Sequence, residues 1–222
     1  IGRLREVALI WPTEHEVDPL WEKDCIFFFL RRVRIDLDRF QRGFEDYAKL
    51  LESLGVKVRW MKAPHSWGAY GPMRKLFMAA FPLVIKGGAI ASRQGHASYI
   101  RGLEVNFTKF FAEINCPILH TIHGHGICEV GVCVAVAEDV IMGYRSCSSN
   151  EDGLAQVLSV FQRSGVKETP IANCGTVIND FEAGGEFHLD MVFGVADLRV
   201  AVVYPGYLDY SVYRWLKEKN FR

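Results

Sequence analysis

The sequence predicts an α/β fold made by repetition, and three observations carry that expectation. Four helical patterns end at residues suited to a left-handed backbone, Gly55, Asn115, Gly165 and Asn220, spaced about 50–60 residues apart. Two short apolar runs with a hairpin break between them precede each of the last three helices. A strand-like run follows each of the first three. A hairpin–helix–strand unit of this size cannot bury its own apolar face, so several units must stack around a shared axis.

In chain order, Val7-Ala8-Leu9-Ile10-Trp11 is a short apolar run stopped by Pro12, a buried strand. After a polar stretch to about Asp36, Phe40, Phe44, Tyr47, Leu50, Leu51 and Leu54 recur at helical spacing. Gly55 caps that helix, and Val56-Lys57-Val58-Arg59-Trp60 alternates like a strand. Pro64 to Pro72 reads as a loop. Leu83-Val84-Ile85 and Ala89-Ile90-Ala91 flank Lys86-Gly87-Gly88 as a hairpin. Arg101 to Ile114 is a helix ending at Asn115, and Cys116 to His120 opens the next strand. A second hairpin pairs Cys133–Ala137 with Val140–Gly143, and Asn150 to Ser164 is a helix closed by Gly165. A third pairs Met191–Val195 with Arg199–Val203 about Ala196-Asp197, and the helix Ser211 to Lys219 ends at Asn220. The first unit lacks the opening of its hairpin and the last its closing strand. With Ile1 in place of a methionine and Arg222 just past a helix, the expectation is one domain over 1–222, cut short at the C-terminus.

Composition excludes several classes. Half of the 222 residues are hydrophobic and 23% charged, the balance of a globular core with a solvated surface. The 26 basic and 26 acidic side chains cancel, so no global field favours nucleic acid or anionic membrane. The cluster Arg31-Arg32-Val33-Arg34 is broken by apolar and acidic neighbours and reads as a solvated face. Cys25-Ile26-Phe27-Phe28-Phe29-Leu30 is far shorter than the ~20 residues of a membrane span. Six cysteines without a CxxC pair point to reduced thiols and a cytoplasmic protein.

Two constellations carry chemistry. His120, His123, His125, Cys128 and Cys133 hold metal-ligating groups, but their spacing matches no zinc template. The expectation is no metal, with Thr121 to Gly126 a loop over a site. The second is Gly184-Gly185-Glu186-Phe187-His188-Leu189-Asp190-Met191. If this run is a strand, His188 and Asp190 share one face while Phe187, Leu189 and Met191 take the other. The pair then suits proton transfer and cation binding, although an ordinary half-buried strand shows the same spacing. Glu129, emerging from a glycine-rich loop, is the second carboxylate. Equivalent points of stacked units converge on the axis, so Glu129 facing Asp190 would grip a planar guanidinium bidentately.

The stretches Arg101-Gly102-Leu103-Glu104, Cys116-Pro117-Ile118, Glu129-Val130-Gly131, Gly143 through Asn150 to Gly153, and above all Phe187-His188-Leu189-Asp190 resemble the guanidino-group-modifying superfamily. It includes arginine deiminases, dimethylarginine dimethylaminohydrolases and amidinotransferases. The resemblance runs over nearly the whole chain and implies a pentein fold, five strand-strand-helix-strand blades about a pseudo-fivefold axis. It implies a hydrolase or amidinotransferase acting on arginine or a substituted arginine through a covalent amidino-cysteine, with no cofactor. His188 would be the general acid/base, and Asp190 and Glu129 the substrate carboxylates. The partner would be a small guanidino molecule rather than nucleic acid or membrane, and a homo-oligomer is compatible. Three departures stand out. The family's Glu-Gly-Gly-Asp reads Glu129-Val130-Gly131-Val132, Ala79-Ala80-Phe81 replaces an Arg-Asp pair, and the nucleophilic cysteine belongs to a last blade beyond Arg222. The chain by itself is therefore expected to be inactive. The alternative is a non-catalytic pentein binding a guanidino ligand or a protein partner.

Overall fold

The computed structural model describes residues 4–12, 36–62, 82–94, 103–137, 140–146, 148–173, 188–206 and 208–222. The expected loop 64–72, the basic cluster 31–34, the Ala79-Ala80-Phe81 departure, Gly184 to Phe187, and Cys25, Cys147 and Cys174 lie outside those residues. The chain divides into two compact units, Gly2–Met78 and Ala79–Arg222.

In the first unit, β1 (Glu6–Trp11) pairs in parallel with β2 (Lys57–Lys62), in register from Glu6↔Lys57 to Trp11↔Lys62. Helix α1 (Leu37–Ser53) makes the crossover that a parallel pair requires. Asp36 caps it, its carboxylate accepting from the Arg39 N–H at 3.0 Å. Ala48 and Leu51 form the buried face of α1, while Tyr47, Leu50 and Leu54 stay exposed.

The second unit repeats one design. β3 (Leu83–Ile85) and β4 (Gly88–Ala91) form an antiparallel hairpin; α2 (Leu103–Glu113) then leads to β5 (Ile118–Thr121), parallel to β4. β6 (Cys133–Ala137), β7 (Val140–Arg145), α3 (Glu151–Arg163) and β8 (Ile171–Asn173) follow the same order and senses. β9 (Phe193–Asp197) and β10 (Val200–Val203) form the third hairpin, followed by α4 (Tyr210–Glu218). Its turn sits at Leu198-Arg199, with Arg199 at φ 58°, two residues later than the sequence suggests. After α4, Arg222 bonds β10 on both sides, its N–H to Arg199 and its carbonyl to Ala201, each 2.9 Å.

The four helix ends are built alike. Gly55, Asn115, Gly165 and Asn220 have φ of 78°, 59°, 85° and 59°. Beyond each, the next residue's N–H returns to the helix: Val56 to Leu51 at 3.0 Å, Cys116 to Phe111 at 2.8 Å, Val166 to Phe161 at 3.0 Å, and Phe221 to Leu216 at 2.9 Å. These are Schellman ends, which satisfy the last carbonyls and turn the chain back towards the sheet. In the second unit the carbonyls of Phe111, Phe161 and Leu216 belong to buried residues, so the helix stop and the core anchor coincide. The core around β6, β7 and α3 holds Val132, Met142, Val157, Phe161, Leu189, Phe193 and Val212. Gly165→Ala places a Cβ on a left-handed residue and should lower stability by about 1–2 kcal/mol in urea unfolding. Asn115→Gly should leave stability unchanged or raised.

Candidate active site

The site grows from two turns of the same form. Glu129 is extended (φ −88°, ψ 152°) and opens a 3-10 turn, Val130–Val132, that runs into β6. His188 is extended in the same way (φ −78°, ψ 148°) and opens a 3-10 turn, Leu189–Met191, just before β9. The two residues therefore occupy corresponding positions ahead of consecutive hairpins, and their turns pack against each other. His188 Nε2 donates to Glu129 Oε2 at 2.8 Å, with Ser148 Oγ 3.1 Å from the same nitrogen. Glu129 is 2% exposed, so its carboxylate depends on such partners to offset lost hydration.

The expected His-Leu-Asp strand is not formed. Met191 N–H bonds His188 O at 3.2 Å and Val192 N–H bonds Leu189 O at 3.1 Å, closing a turn instead of a ladder. Leu189 is fully buried and Met191 is 63% exposed, which no alternating strand allows. The hydrophobic demand of Leu189, packed into the core beside Val132 and Phe193, wins over strand propensity. His188 and Asp190 are still neighbours, because the turn brings Asp190 Oδ1 to 3.9 Å from His188 Nδ1. Asp190 is the outer member, its side chain 55% exposed. Partial burial nevertheless raises its carboxyl above its ordinary value, opposed by attraction to His188. The two expected carboxylates thus stand at opposite nitrogens of one imidazole, Glu129 inside and Asp190 towards solvent.

Gly131 makes this arrangement possible. A Cβ there would lie 2.4 Å from His188 Nδ1 and 2.7 Å from its Cγ, so the ring rests on bare backbone. Sequence reading singled out Gly131 only as part of a motif, and nothing local marks it as the floor beneath a histidine. Ser148 was also missed; among Ser146, Ser148, Ser149 and Asn150 it looks like any turn residue.

The segment carrying Glu129 is clamped on both sides. Cys128 exchanges backbone bonds with Arg93 at 3.1 and 3.2 Å, and Glu129 N–H reaches Ser148 O at 3.0 Å. Asn150 ties the preceding loop down. Its Oδ1 accepts from Gly153 N–H (2.8 Å) and Ile127 N–H (2.9 Å), and its Nδ2 donates to His125 O (2.7 Å). Gly153 is required beneath it, because a Cβ would meet Ile127 O at 1.9 Å. Gln156 completes the clamp, bonding His123 N–H and His123 O at 3.1 Å each and His120 Nε2 at 2.9 Å. His120 and His123 thus engage α3 at its first turns, and no group of three metal-ligating side chains occurs among the described residues. Cys128 is buried beside Cys133, and their contact and burial push its thiol well up, away from the nucleophilic thiolate.

Comparison with known structures finds chains of the same fold. A dimethylarginine dimethylaminohydrolase of Pseudomonas aeruginosa in complex with citrulline covers 99% of this chain and 75% of its own at TM-score 0.74 and 15% identity. The substrate-bound N-terminal domain of ArgZ, a cyanobacterial arginine dihydrolase, covers 96% of this chain and 71% of its own at TM-score 0.70 and 15% identity. These likenesses show the fold, the α/β pentein fold of those structures. Among curated proteins, this pentein chain is 29% identical over 235 residues to a 2-nitroimidazole nitrohydrolase of a Mycobacterium species (strain JS330). The alignment takes in the whole pentein chain but 62% of that relative's length. No protein-family model matches.

Two results follow from the pentein site. Gly131→Ala must displace the imidazole and take a partner from the buried Glu129 carboxylate, so it should lower the midpoint of thermal unfolding and shift the His188 ring resonances in NMR spectra. Asp190 is held above its ordinary value of 3.8, so the folded state binds its proton more readily than the unfolded state. Its contribution favours folding below pH 3.8 and is lost as pH rises through the folded value. Asp190→Asn should therefore stabilise the ligand-free protein at neutral pH, with the gain vanishing in acid, as followed by urea unfolding across pH.

Proposed function

We propose that this chain is the larger part of a pentein hydrolase that displaces a leaving group from a carbon flanked by two nitrogens. Guanidino compounds and N–C–N rings that bear a leaving group both present such a carbon. The observation that carries the reading is the His188 imidazole, fixed at Nε2 by Glu129 and Ser148, floored by Gly131, and open at Nδ1 towards Asp190. A histidine with no task beyond packing does not need a buried carboxylate, a serine and a side-chain-free floor. That supports the catalytic reading over a non-catalytic pentein.

In this scheme His188 is the general acid/base, Glu129 holds it and supplies negative charge to the site, and Asp190 attracts the cationic substrate. The Cys128 thiol is kept neutral. The nucleophile is the cysteine that the resembling family carries in its last blade, a position that none of the six cysteines of this chain occupies by motif. Its thiolate adds to the central carbon, and the departing amine takes a proton from His188, leaving an amidino-thioether. His188, now neutral, takes a proton from water as the hydroxyl adds to the same carbon. The thiolate then leaves and a ureido product is released. Water, rather than an acceptor amine, is chosen because the similar proteins are named as hydrolases.

A second substrate is favoured by the nitrohydrolase likeness. In 2-nitroimidazole the carbon bearing the nitro group also lies between two nitrogens, and the same attack would release nitrite. The test is product analysis with the natural-length protein. Arginine or a methylated arginine should yield ammonia or an amine, or 2-nitroimidazole should yield nitrite. His188→Ala should lower kcat by about 10²–10⁴ while sparing ligand binding. Absence of product from every such substrate, or full activity in His188→Ala, would overturn the reading.

A further inference from the structure

Five polar side chains are buried among the described residues of the second unit, Ser92, Gln94, Glu129, Ser148 and Ser149, and all belong to three adjacent backbone segments. Arg93 and Cys128 form a mutually hydrogen-bonded antiparallel pair, and Cys128 also pairs with Ser149. Side chains alternate across such pairs. Arg93, Cys128 and Ser149 therefore share one face, and Ser92, Gln94, Glu129 and Ser148 share the other. The contact of His188 Nε2 with both Glu129 and Ser148 confirms that this second face is the site face. Gln94 stands opposite Ile127, two residues along from the Ser92–Glu129 level, or about 6–7 Å at strand rise.

Gln94 differs from its companions. It is fully buried, and among the described residues it is the side chain whose buried polar atoms, Oε1 and Nε2, both have no hydrogen-bond partner. Leaving a buried amide unpaired is costly, and such a group in a folded protein needs an explanation. A hydrocarbon of the same shape would suit a purely structural position better.

We propose that Gln94 is a specificity-determining residue that completes its hydrogen bonds on the substrate. The inference rests on the reading of the His188 face as the reaction site. A glutamine amide offers one acceptor and a pair of donors side by side. Guanidinium presents donors only, so it satisfies Oε1 and leaves Nε2–H facing a cation. A neutral N–C–N ring carrying an N–H beside an acceptor oxygen, the edge presented by 2-nitroimidazole, satisfies both. The buried Val132 is in keeping with this, because it places hydrocarbon where the resembling family has a carboxylate or amide. Gln94 therefore selects acceptor-bearing, uncharged heterocycles over guanidinium compounds.

The test is calorimetric titration of the natural-length protein with 2-nitroimidazole and, separately, with arginine, for the wild type, Gln94→Leu and Gln94→Glu, with thermal unfolding of each. The wild type should prefer 2-nitroimidazole. Gln94→Leu should bind it at least about tenfold more weakly at an unchanged or higher Tm, the mark of a polar group kept for a ligand. Gln94→Glu should lose 2-nitroimidazole and gain arginine. Equal 2-nitroimidazole affinity in all three proteins, or no binding of it by the wild type, overturns the proposal. Intact discrimination with no turnover of either compound supports Gln94 and refutes the catalytic role of His188 instead.

Discussion

The buried carboxylate of Glu129 is the constraint around which the second unit is arranged. At 2% exposure it has lost nearly all contact with solvent, so its charge must be met inside the protein. His188 and Ser148 gather at that point, and each arrives from a different repeat or loop. The backbone around Glu129 is held accordingly, by Arg93 on one side, by Ser148 on the other, and by Asn150 at the loop behind. Without the rigid clamp, a carboxylate at the end of a flexible glutamate side chain would not hold an imidazole in one orientation.

Repetition explains how such a site arises. Glu129 and His188 occupy the same place in consecutive units, each extended and each opening a 3-10 turn before a hairpin. Stacking like units brings like positions together, so one unit supplies the acid and the next the imidazole. The same repetition appears at the other end of each unit, where four helices stop with one hydrogen-bond pattern. Those stops are set by left-handed residues and by the helix carbonyls of buried side chains, and they aim the chain back along the sheet. Structural regularity at the helix ends and chemical diversity at the turns are thus separated within one unit.

Much of the fold was legible in the sequence. The hairpin about Gly87, the pairing of Cys133–Ala137 with Val140–Arg145, the helix after Asn150, and the stops at Gly55, Asn115, Gly165 and Asn220 are all encoded by residues within a few positions of one another. Turn chemistry, capping and apolar periodicity act at that range, so a single chain displays them. His188, Asp190 and Glu129 were legible as chemistry-bearing residue types and as family-like motifs. Their mutual geometry was not: the alternation of His188, Leu189 and Asp190 suggested a strand, and core packing of Leu189 turned it into a 3-10 turn.

The sequence by itself determined the repeat, the order and ends of its elements, and the residues able to carry charge and protons. Tertiary structure alone decided that Glu129 meets His188, 59 residues away, at the inner nitrogen while Asp190 stays outside. It alone set Ser148 beside the ring, made Gly131 the floor beneath it, and left the Gln94 amide buried without a partner. The reason is physical. Local hydrogen bonds and propensities depend on neighbours in the chain, whereas burial and the pairing of buried charge depend on which distant segments share a face, and only the packed units define that face.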